Sequence, residues 1–374
     1  DAAKASMPAI KALISRRVPA DTLAAKRAAF RKRIPAQRVM QVQVKGGQKG
    51  QERFVRTILG IEPGDTLDYE VLRQHLNRVK VMGNFASVFP ELVWDAELQG
   101  YILKVYLRPT ARFRLSVGGN FFAPLDHHLL LGASYQGLNV VGYELSLEGM
   151  RGSFMNMART RLRLDFPFRL PIQLNLEGSV QQRNLQRPVL TLFNTSLDAN
   201  VAFRGWEATP YISFPWKQNR ISLGYAYHDL TDFYLPPEAQ RPGDQQDQTG
   251  FSGHSAFLRF QRNSLNKKMY PTEGGRLHFS ARFVRGQETF TPYTDSLPTQ
   301  RQMHGFVQAV LHIENYTPIS RKFSVGYGLD AAASSRTPYF NERAHRLAAP
   351  KFMPLQDSPV LFIPSLYSNL WAAG

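Results

Sequence analysis

The feature that most constrains this chain is a strand pattern of period two, which repeats roughly a dozen times after residue 110. In the segment 276–283, large apolar side chains alternate with arginine, histidine and serine. A strand with this pattern has one apolar face and one charged face. A soluble sandwich could contain one or two such strands, but an unbroken series of them is typical of a membrane barrel. The sequence therefore predicts a mainly β fold, an antiparallel transmembrane β-barrel.

Three parts are predicted along the chain: residues 1–38, 39–110 and 111–374. The first is a basic helical connector with two segments, Ala2–Arg17 and a second helix that Asp21 would cap and that ends near Arg33. The second part has the order strand, helix, helix, strand, strand and forms one compact α+β unit. The third part is the barrel, in which Thr195–Phe214 could be one long bent strand or two short ones.

Composition narrows the classes of partner and of chemistry. The 374 residues contain no cysteine, which excludes disulfides and thiolate metal sites. The net charge is +17, and residues 1–38 hold ten basic residues against two acidic ones, a net of +8. Such a segment could bind anionic lipid or an acidic protein surface, or it could be a solvated helix face. Nucleic acid is not expected, because no recognition motif accompanies the charge.

Connections between the predicted strands alternate between short and long, as expected for periplasmic turns and extracellular loops of a barrel. The long ones are predicted at Tyr234–Gly250, Gln287–Gln300 and Ser335–Phe362. A soluble all-β protein is the competing interpretation. It would have to place many arginines against a packed apolar core, which is costly.

A row of arginines is predicted to face the barrel lumen, because arginine on the lipid side costs about 2–4 kcal/mol at the bilayer midplane. The row could hold a plug or a passing acidic chain. Alternatively, it is ordinary polar filling, paired with Glu144, Glu148, Asp165 and Glu177. The row consists of Arg112, Arg114, Arg159, Arg161, Arg163, Arg276 and Arg282.

A polar turn between two alternating strands, Asn263–Gly275, contains the phrase Tyr270, Pro271, Thr272, Glu273, Gly274, Gly275. Together with Ile313–Pro318 it resembles the outer-membrane assembly-factor superfamily, the bacterial surface-antigen barrels. The resemblance implies sixteen strands, of which this chain would supply about twelve. The superfamily's V-R-G-F/Y loop motif is absent from the matching segment Arg343–Pro354. That absence argues against insertase activity.

Residues 39–110, with Gly64-Asp65 and Gly83-Asn84-Phe85, resemble a polypeptide-transport-associated (POTRA) domain. The resemblance implies a periplasmic domain that pairs a strand edge with client chains. The expected edge strand carries Met40, Val42 and Val44. A small spacer domain without a client is the alternative.

The N-terminal phrases Arg16-Arg17-Val18 and Ala25–Phe30, a single POTRA-like unit and the turn phrase Asn263–Pro271 together resemble the C-terminal half of patatin-like phospholipases with a surface-antigen barrel. This implies an outer-membrane module that anchors, and could translocate, a lipid acyl hydrolase domain placed upstream. The implied partners are outer-membrane lipid, that lipase domain, the barrel-assembly machinery and a second copy of the chain. The alternatives are an assembly or secretion factor with no enzyme and a plain porin or adhesin.

No catalytic residue, cofactor or metal site is predicted in this chain. Patatins need a serine in G-x-S-x-G and an aspartate in D-G-[GA]. Gly250–His254 misses that spacing, and Asp330 lacks the following glycine. His254 and Ser255 are adjacent, so they should point to opposite faces of a strand and cannot form a dyad.

Overall fold

The structure is a computed structural model of the chain. Internal contacts divide it into two compact units, one of Asp1–Gln43, Ile61–Tyr69 and Pro90–Val105, and one of Val44–Gly60, Glu70–Phe89 and Tyr106–Gly374. The residues that the structure describes are 7–8, 19–32, 37–122, 126–152, 155–185, 201–217, 219–234, 246–267, 270–293, 297–320, 323–336 and 371–373.

Helix α1 spans Ala20–Lys32. The expectation that Asp21 caps this helix is wrong, because the backbone N–H of Leu23 bonds to the carbonyl of Pro19 at 3.0 Å and the helix begins one residue earlier. Asp21 instead lies in the first turn, where its charge complements the helix dipole. The predicted segment Ala2–Arg17 lies outside the described residues except for Met7 and Pro8, which are helical.

The α+β part follows the predicted order and adds one short strand. Its elements are β1 (Arg38–Lys45), α2 (Lys49–Leu59), β2 (Asp65–Thr66), α3 (Tyr69–Met82), β3 (Phe85–Asp95) and β4 (Gly100–Pro109). The four strands form a sheet in the order β2-β1-β4-β3. Helix α2 begins at a capping box, in which Gln51 accepts a bond from the N–H of Gln48, and ends at Gly60 in the left-handed conformation.

The remaining strands form one antiparallel sheet in which each strand pairs with its neighbours in the chain, from β5 to β16. The strands are β5 (Phe113–Phe122), β6 (Asp126–Leu138), β7 (Gly142–Gly152), β8 (Met155–Phe166), β9 (Ile172–Leu185), β10 (Val201–Trp216), β11 (Asn219–Tyr234), β12 (Asp247–Asn263), β13 (Gly274–Thr291), β14 (Gln300–Pro318), β15 (Ser324–Ser334) and β16 (Trp371–Ala373).

Several strands are longer than the apolar pattern indicates. β13 covers 18 residues and β14 covers 19, so the connection between them is shorter than the predicted Gln287–Gln300. β12 likewise begins at Asp247, inside the predicted loop Tyr234–Gly250. Backbone hydrogen bonds extend these strands through polar residues. The alternation of apolar residues stops earlier and therefore does not reveal the strand ends. The part of Thr195–Phe214 that the structure describes belongs to the single strand β10.

The predicted fold class is confirmed: the chain is mainly β, with an antiparallel sheet of the transmembrane-barrel type after a small α+β region. None of the described helices is long and apolar enough to cross a bilayer. Residues 337–370, which include most of the predicted loop Ser335–Phe362, lie outside the described part of the chain.

Candidate functional site

Strand register assigns the side chains of the large sheet to two faces, because residues paired across antiparallel strands point the same way. Leu147 of β7 pairs with Ala133 of β6 and with Thr160 of β8. Its neighbour Glu148 pairs with Gly132 and Arg159 and therefore lies on the opposite face. We call the face of Leu147 the apolar face and the face of Glu148 the polar face.

The apolar face is exposed over many strands. Leu115, Leu147 and Phe283 lie on it with relative exposures of 65%, 54% and 51%. Soluble monomers rarely expose contiguous apolar patches larger than a few hundred Å². A sheet that exposes most of its leucines on one face, while the predicted row of arginines lies on the other, is expected in a bilayer and not in a soluble sandwich. Other exposed members are Val117, Leu131, Leu145, Leu162, Leu174, Leu176, Val180, Trp206, Ile212, Leu223, Leu258, Val307 and Leu329.

The predicted arginine row lies on the polar face. Arg159, Arg161 and Arg163 alternate on β8, and their register partners connect them to both neighbouring strands. Arg114 pairs with Ser134, while Arg276 and Arg282 pair with Glu314 and Gln308. Arg112 directly precedes β5, two residues before Arg114. The seven arginines therefore share one face, and their position in a lumen remains a prediction.

Four of these arginines, Arg161, Arg163, Arg276 and Arg282, have polar partners on the same face. Arg161 Nε lies 2.7 Å from Glu177 Oε1, which also accepts a bond from the Tyr211 hydroxyl at 2.6 Å. Arg276 pairs with Glu314 at 3.3 Å, and Arg282 donates to Gln308 Oε1 at 2.6 Å. This pairing favours the interpretation of these arginines as polar filling.

Arg163 is the centre of a buried network at one end of the sheet. Its Nη1 lies 2.6 Å from Glu144 Oε2, and its Nε lies 3.2 Å from a carboxylate oxygen of Asp165. The Asp165 side chain is fully buried and also accepts a bond from Gln173 Nε2 at 2.7 Å. Arg163 Nη2 donates to Asn84 Oδ1 at 3.1 Å, just beyond the end of α3. A buried carboxylate needs such compensation, because an unpaired buried charge is costly.

The last turn of α3 receives further bonds from the same region. Arg220 Nη2 donates to the carbonyl of Val81 at 2.5 Å, and Gln173 Nε2 donates to the carbonyl of Met82 at 3.2 Å. The final carbonyls of a helix have no partners within the helix, so donors from elsewhere stabilise this end. Residues 70–89 and the large sheet belong to the same compact unit. The α3 end is therefore fixed to the polar face near the connection 167–171.

Asn84, Gln173 and Arg220 were not among the residues predicted to form a site. Their partners lie 79, 91 and 139 positions away in the chain, so local patterns could not reveal the contacts. The phrase Gly83-Asn84-Phe85 was singled out only as part of the POTRA-like resemblance.

The predicted turn motif forms a closed hydrogen-bonded loop between β12 and β13. Asn266 Oδ1 accepts the backbone N–H groups of Thr272 and Glu273 at 3.1 and 3.3 Å. Ser264 Oγ bonds to both backbone groups of Gly275 at 3.0 Å. Tyr270 is 85% exposed, and Pro271 follows it. The motif therefore sets the geometry of a turn, and Ser264 and Asn266 make most of its contacts.

The predicted edge strand β1 lies between the two-residue strand β2 and the longer strand β4. β2 pairs with its residues Arg38 and Val39, and β4 lies on its other side. Val42 and Val44 are buried and Met40 is half-buried, so their side chains contribute to a core. The pairing of Met40, Val42 and Val44 with a client chain stays a prediction, and β3 is the terminal strand at the other side of the sheet.

His254 and Ser255 lie on opposite faces, as predicted. Ser255 pairs with Ala226 and Val284 on the polar face, whereas His254 pairs with Tyr227 and Arg285 on the apolar face. Across the described residues, no group of three or more His, Cys, Asp or Glu side chains has an arrangement that could hold a metal ion.

No protein-family profile matches the sequence, and no curated protein matches it. Solved structures similar to this chain include BamA from Haemophilus ducreyi lacking POTRA domains 1–3, with 14% identity, a TM-score of 0.49 and coverage of 80% of this chain and 56% of that one. CdiB from Acinetobacter baumannii matches with 13% identity, a TM-score of 0.47 and coverage of 82% and 54%. The chain thus spans about half the length of these structures.

Proposed function

We propose that this chain is the membrane half of a bacterial outer-membrane protein that anchors a patatin-like lipid acyl hydrolase domain located before Asp1. The α+β region would lie in the periplasm, and the large sheet would belong to the barrel. The enzyme part of the proposal rests on the sequence resemblance of Arg16–Val18, Ala25–Phe30 and the 263–271 turn. The membrane part rests on the exposed apolar face.

The observation that carries the anchoring role is the fixed end of α3. Arg163, Gln173 and Arg220 hold Asn84, Met82 and Val81 against the polar face. Arg163 and Gln173, which contact the α3 end, also bond to the fully buried Asp165. Moving α3 away for each client chain would disturb this buried network, which is costly. The contacts therefore favour a permanent attachment of α3 to the sheet over a channel that opens for client chains.

A second candidate function, assembly or secretion of other polypeptides, is favoured by strand β3. It is the terminal strand of its sheet, and Phe89 and Trp94 on it are 66% and 51% exposed. Pro90 lies within the strand, and proline is tolerated mainly on edge strands. A client chain could add to such an edge by backbone pairing.

The experiment that tests the proposal is intact mass and N-terminal sequencing of the native polypeptide from outer membranes, with an acyl-ester hydrolysis assay on the same preparation. An upstream domain with G-x-S-x-G, and loss of hydrolysis when its serine is replaced by alanine, would support the anchor. A native product without such a domain would reject it. Cross-linking of client chains to β3 would then support the second function.

A further inference from the structure

The apolar face contains a groove of about 710 Å³ over strands β5 to β10. Its floor is made of small residues in neighbouring register positions, Gly149 paired with Ala158, and Gly178 paired with Ala208. A Cβ added at Gly149 would meet no atom within 4 Å, so the space above it is open. Larger apolar side chains form the walls: Leu115, Leu131, Leu147, Val180 and Trp206.

A polar row lies on the same face directly beyond the groove, on the side away from the connection 167–171. Arg151 pairs with Asn156, which pairs with Gln182, which pairs with Arg204. Each of these four residues stands two positions along its strand from a groove residue, which is about 7 Å. Both arginines are exposed, and the Arg204 guanidinium lies 5.6 Å from the centre of the Phe233 ring.

Charge and shape therefore combine in one amphiphilic surface. Arginine on a lipid-facing surface is unfavourable in the hydrocarbon region and tolerable near the headgroups. Two arginines with two amides between them offer donors suited to phosphate oxygens. Their backbone positions lie three strand spacings apart, about 14 Å, which is wider than one phosphate. The acid closest by register, Asp229, pairs with Trp206 and therefore lies diagonally next to Arg204, so Arg151 is the arginine farther from this carboxylate.

We propose that this surface binds a membrane glycolipid whose headgroup carries two phosphates, with Arg151 and Arg204 each contacting one phosphate and an acyl chain lying in the groove. The proposal rests on the transmembrane fold and on the proposed periplasmic position of the α+β region. Because the α3 end contacts the sheet near the connection 167–171, the polar row at the opposite strand ends would lie in the outer leaflet. It does not depend on an attached lipase. It adds a lipid-binding site to a chain in which we identify no catalytic residue.

The chain offers matched controls on the same face. Gly305 is also on the apolar face, opposite Arg285, and a Cβ added there would meet no atom within 4 Å. Gly305→Leu therefore adds the same bulk as Gly149→Leu, but outside the groove. Arg285→Gln likewise removes an exposed arginine of the apolar face without touching the proposed row.

The test is native mass spectrometry of the full chain in detergent with three probes: lipid A, monophosphoryl lipid A and dioleoyl phosphatidylcholine. We expect lipid A to be retained about tenfold more strongly than monophosphoryl lipid A, since one charge-assisted contact is lost. Gly149→Leu and the double variant Arg151→Gln/Arg204→Gln should each reduce retention of lipid A about tenfold or more. The two control variants should retain it like the parent chain.

Equal retention of lipid A and monophosphoryl lipid A would overturn the two-phosphate assignment. Equal losses in Gly149→Leu and Gly305→Leu would overturn the groove. Gel migration of unheated and heated samples in detergent is compared for each variant, because a folded barrel and an unfolded chain migrate differently. This control separates a loss of binding from misfolding. The anchoring proposal is tested by the native N-terminus and survives either result.

Discussion

Arg163 Nη2 donates a hydrogen bond to Asn84 Oδ1 at 3.1 Å, although the two residues are 79 positions apart. The same guanidinium forms ion pairs with Glu144 and with the fully buried Asp165 on the polar face. One side chain thus stabilises both a strand-to-strand network and the end of α3. Its removal should therefore destabilise both the strand-to-strand network and the end of α3.

We predict that Arg163→Met destabilises the sheet strongly. The substitution leaves Asp165 buried without its cation, and breaking a buried pair on one side costs about 3–5 kcal/mol. Urea unfolding of the purified chain in detergent micelles measures the change. Arg159→Met is the control, because Arg159 is exposed on the same strand and the same face. Similar midpoints for the two variants would show that the network contributes little.

We predict that the α2–α3 contact weakens in mild acid because of His75. Burial is the main cause that lowers the pKa of His75 below 6.5, and the charges of Arg78 and Arg169 add to it. The unfolded chain therefore binds a proton where the folded chain does not, so stability is full above pH 6.5 and falls as the pH drops below it. His75 Nδ1 lies 2.5 Å from the carbonyl of Leu59 and is the donor in the neutral ring.

The measurement is the urea midpoint at pH 7.5 and at pH 5.5 for the parent chain and for His75→Gln, which keeps a donor for Leu59. The informative quantity is the difference between the two proteins, because only the contribution of His75 differs between them. The variant should lose less stability on acidification than the parent. An identical loss in both would exclude His75 as the source.

The barrel-type strands could be predicted because their signal is local. Alternation in segments such as Leu277–Phe283 gives both the strand and its lipid-facing side. Strand ends were harder to predict, because backbone pairing in β13 and β14 continues after the apolar residues stop. The network of Arg163, Asn84 and Arg220 could not be predicted, since it depends on which distant segments meet. The partners Glu314 and Gln308 were also missed, because cross-strand register is not visible in one strand.

We predict that Gly274→Ala damages the β12–β13 turn. Gly274 has a φ of 96°, and an added Cβ would lie 2.1 Å from the carbonyl oxygen of Ser264. Backbone strain alone costs about 1–3 kcal/mol, and the clash with a backbone atom adds to it. The thermal midpoint in detergent and the yield of heat-modifiable barrel report the effect.

Gly64→Ala separates the two contributions to that loss. Gly64 has a φ of 99°, but an added Cβ would meet nothing within 4 Å, so only strain is introduced. The Gly274 variant should lose clearly more stability than the Gly64 variant, when the region that contains each glycine is compared with the same region of the parent chain. Tolerance of alanine at Gly274 would mean that the turn relaxes and that its bonds to Ser264 are dispensable.

We predict that Leu147→Arg prevents or strongly weakens membrane insertion. Leu147 lies at the middle of β7 on the apolar face and is 54% exposed. In a soluble protein an exposed leucine can be replaced by arginine at little cost, whereas at the bilayer midplane the change costs about 2–4 kcal/mol. Ser116→Arg is the control, because Ser116 is exposed on the polar face. Folding into lipid vesicles, followed by heat-modified gel migration, should fall for the Leu147 variant alone. Equal folding of both variants would mean that the apolar face is covered by something other than lipid.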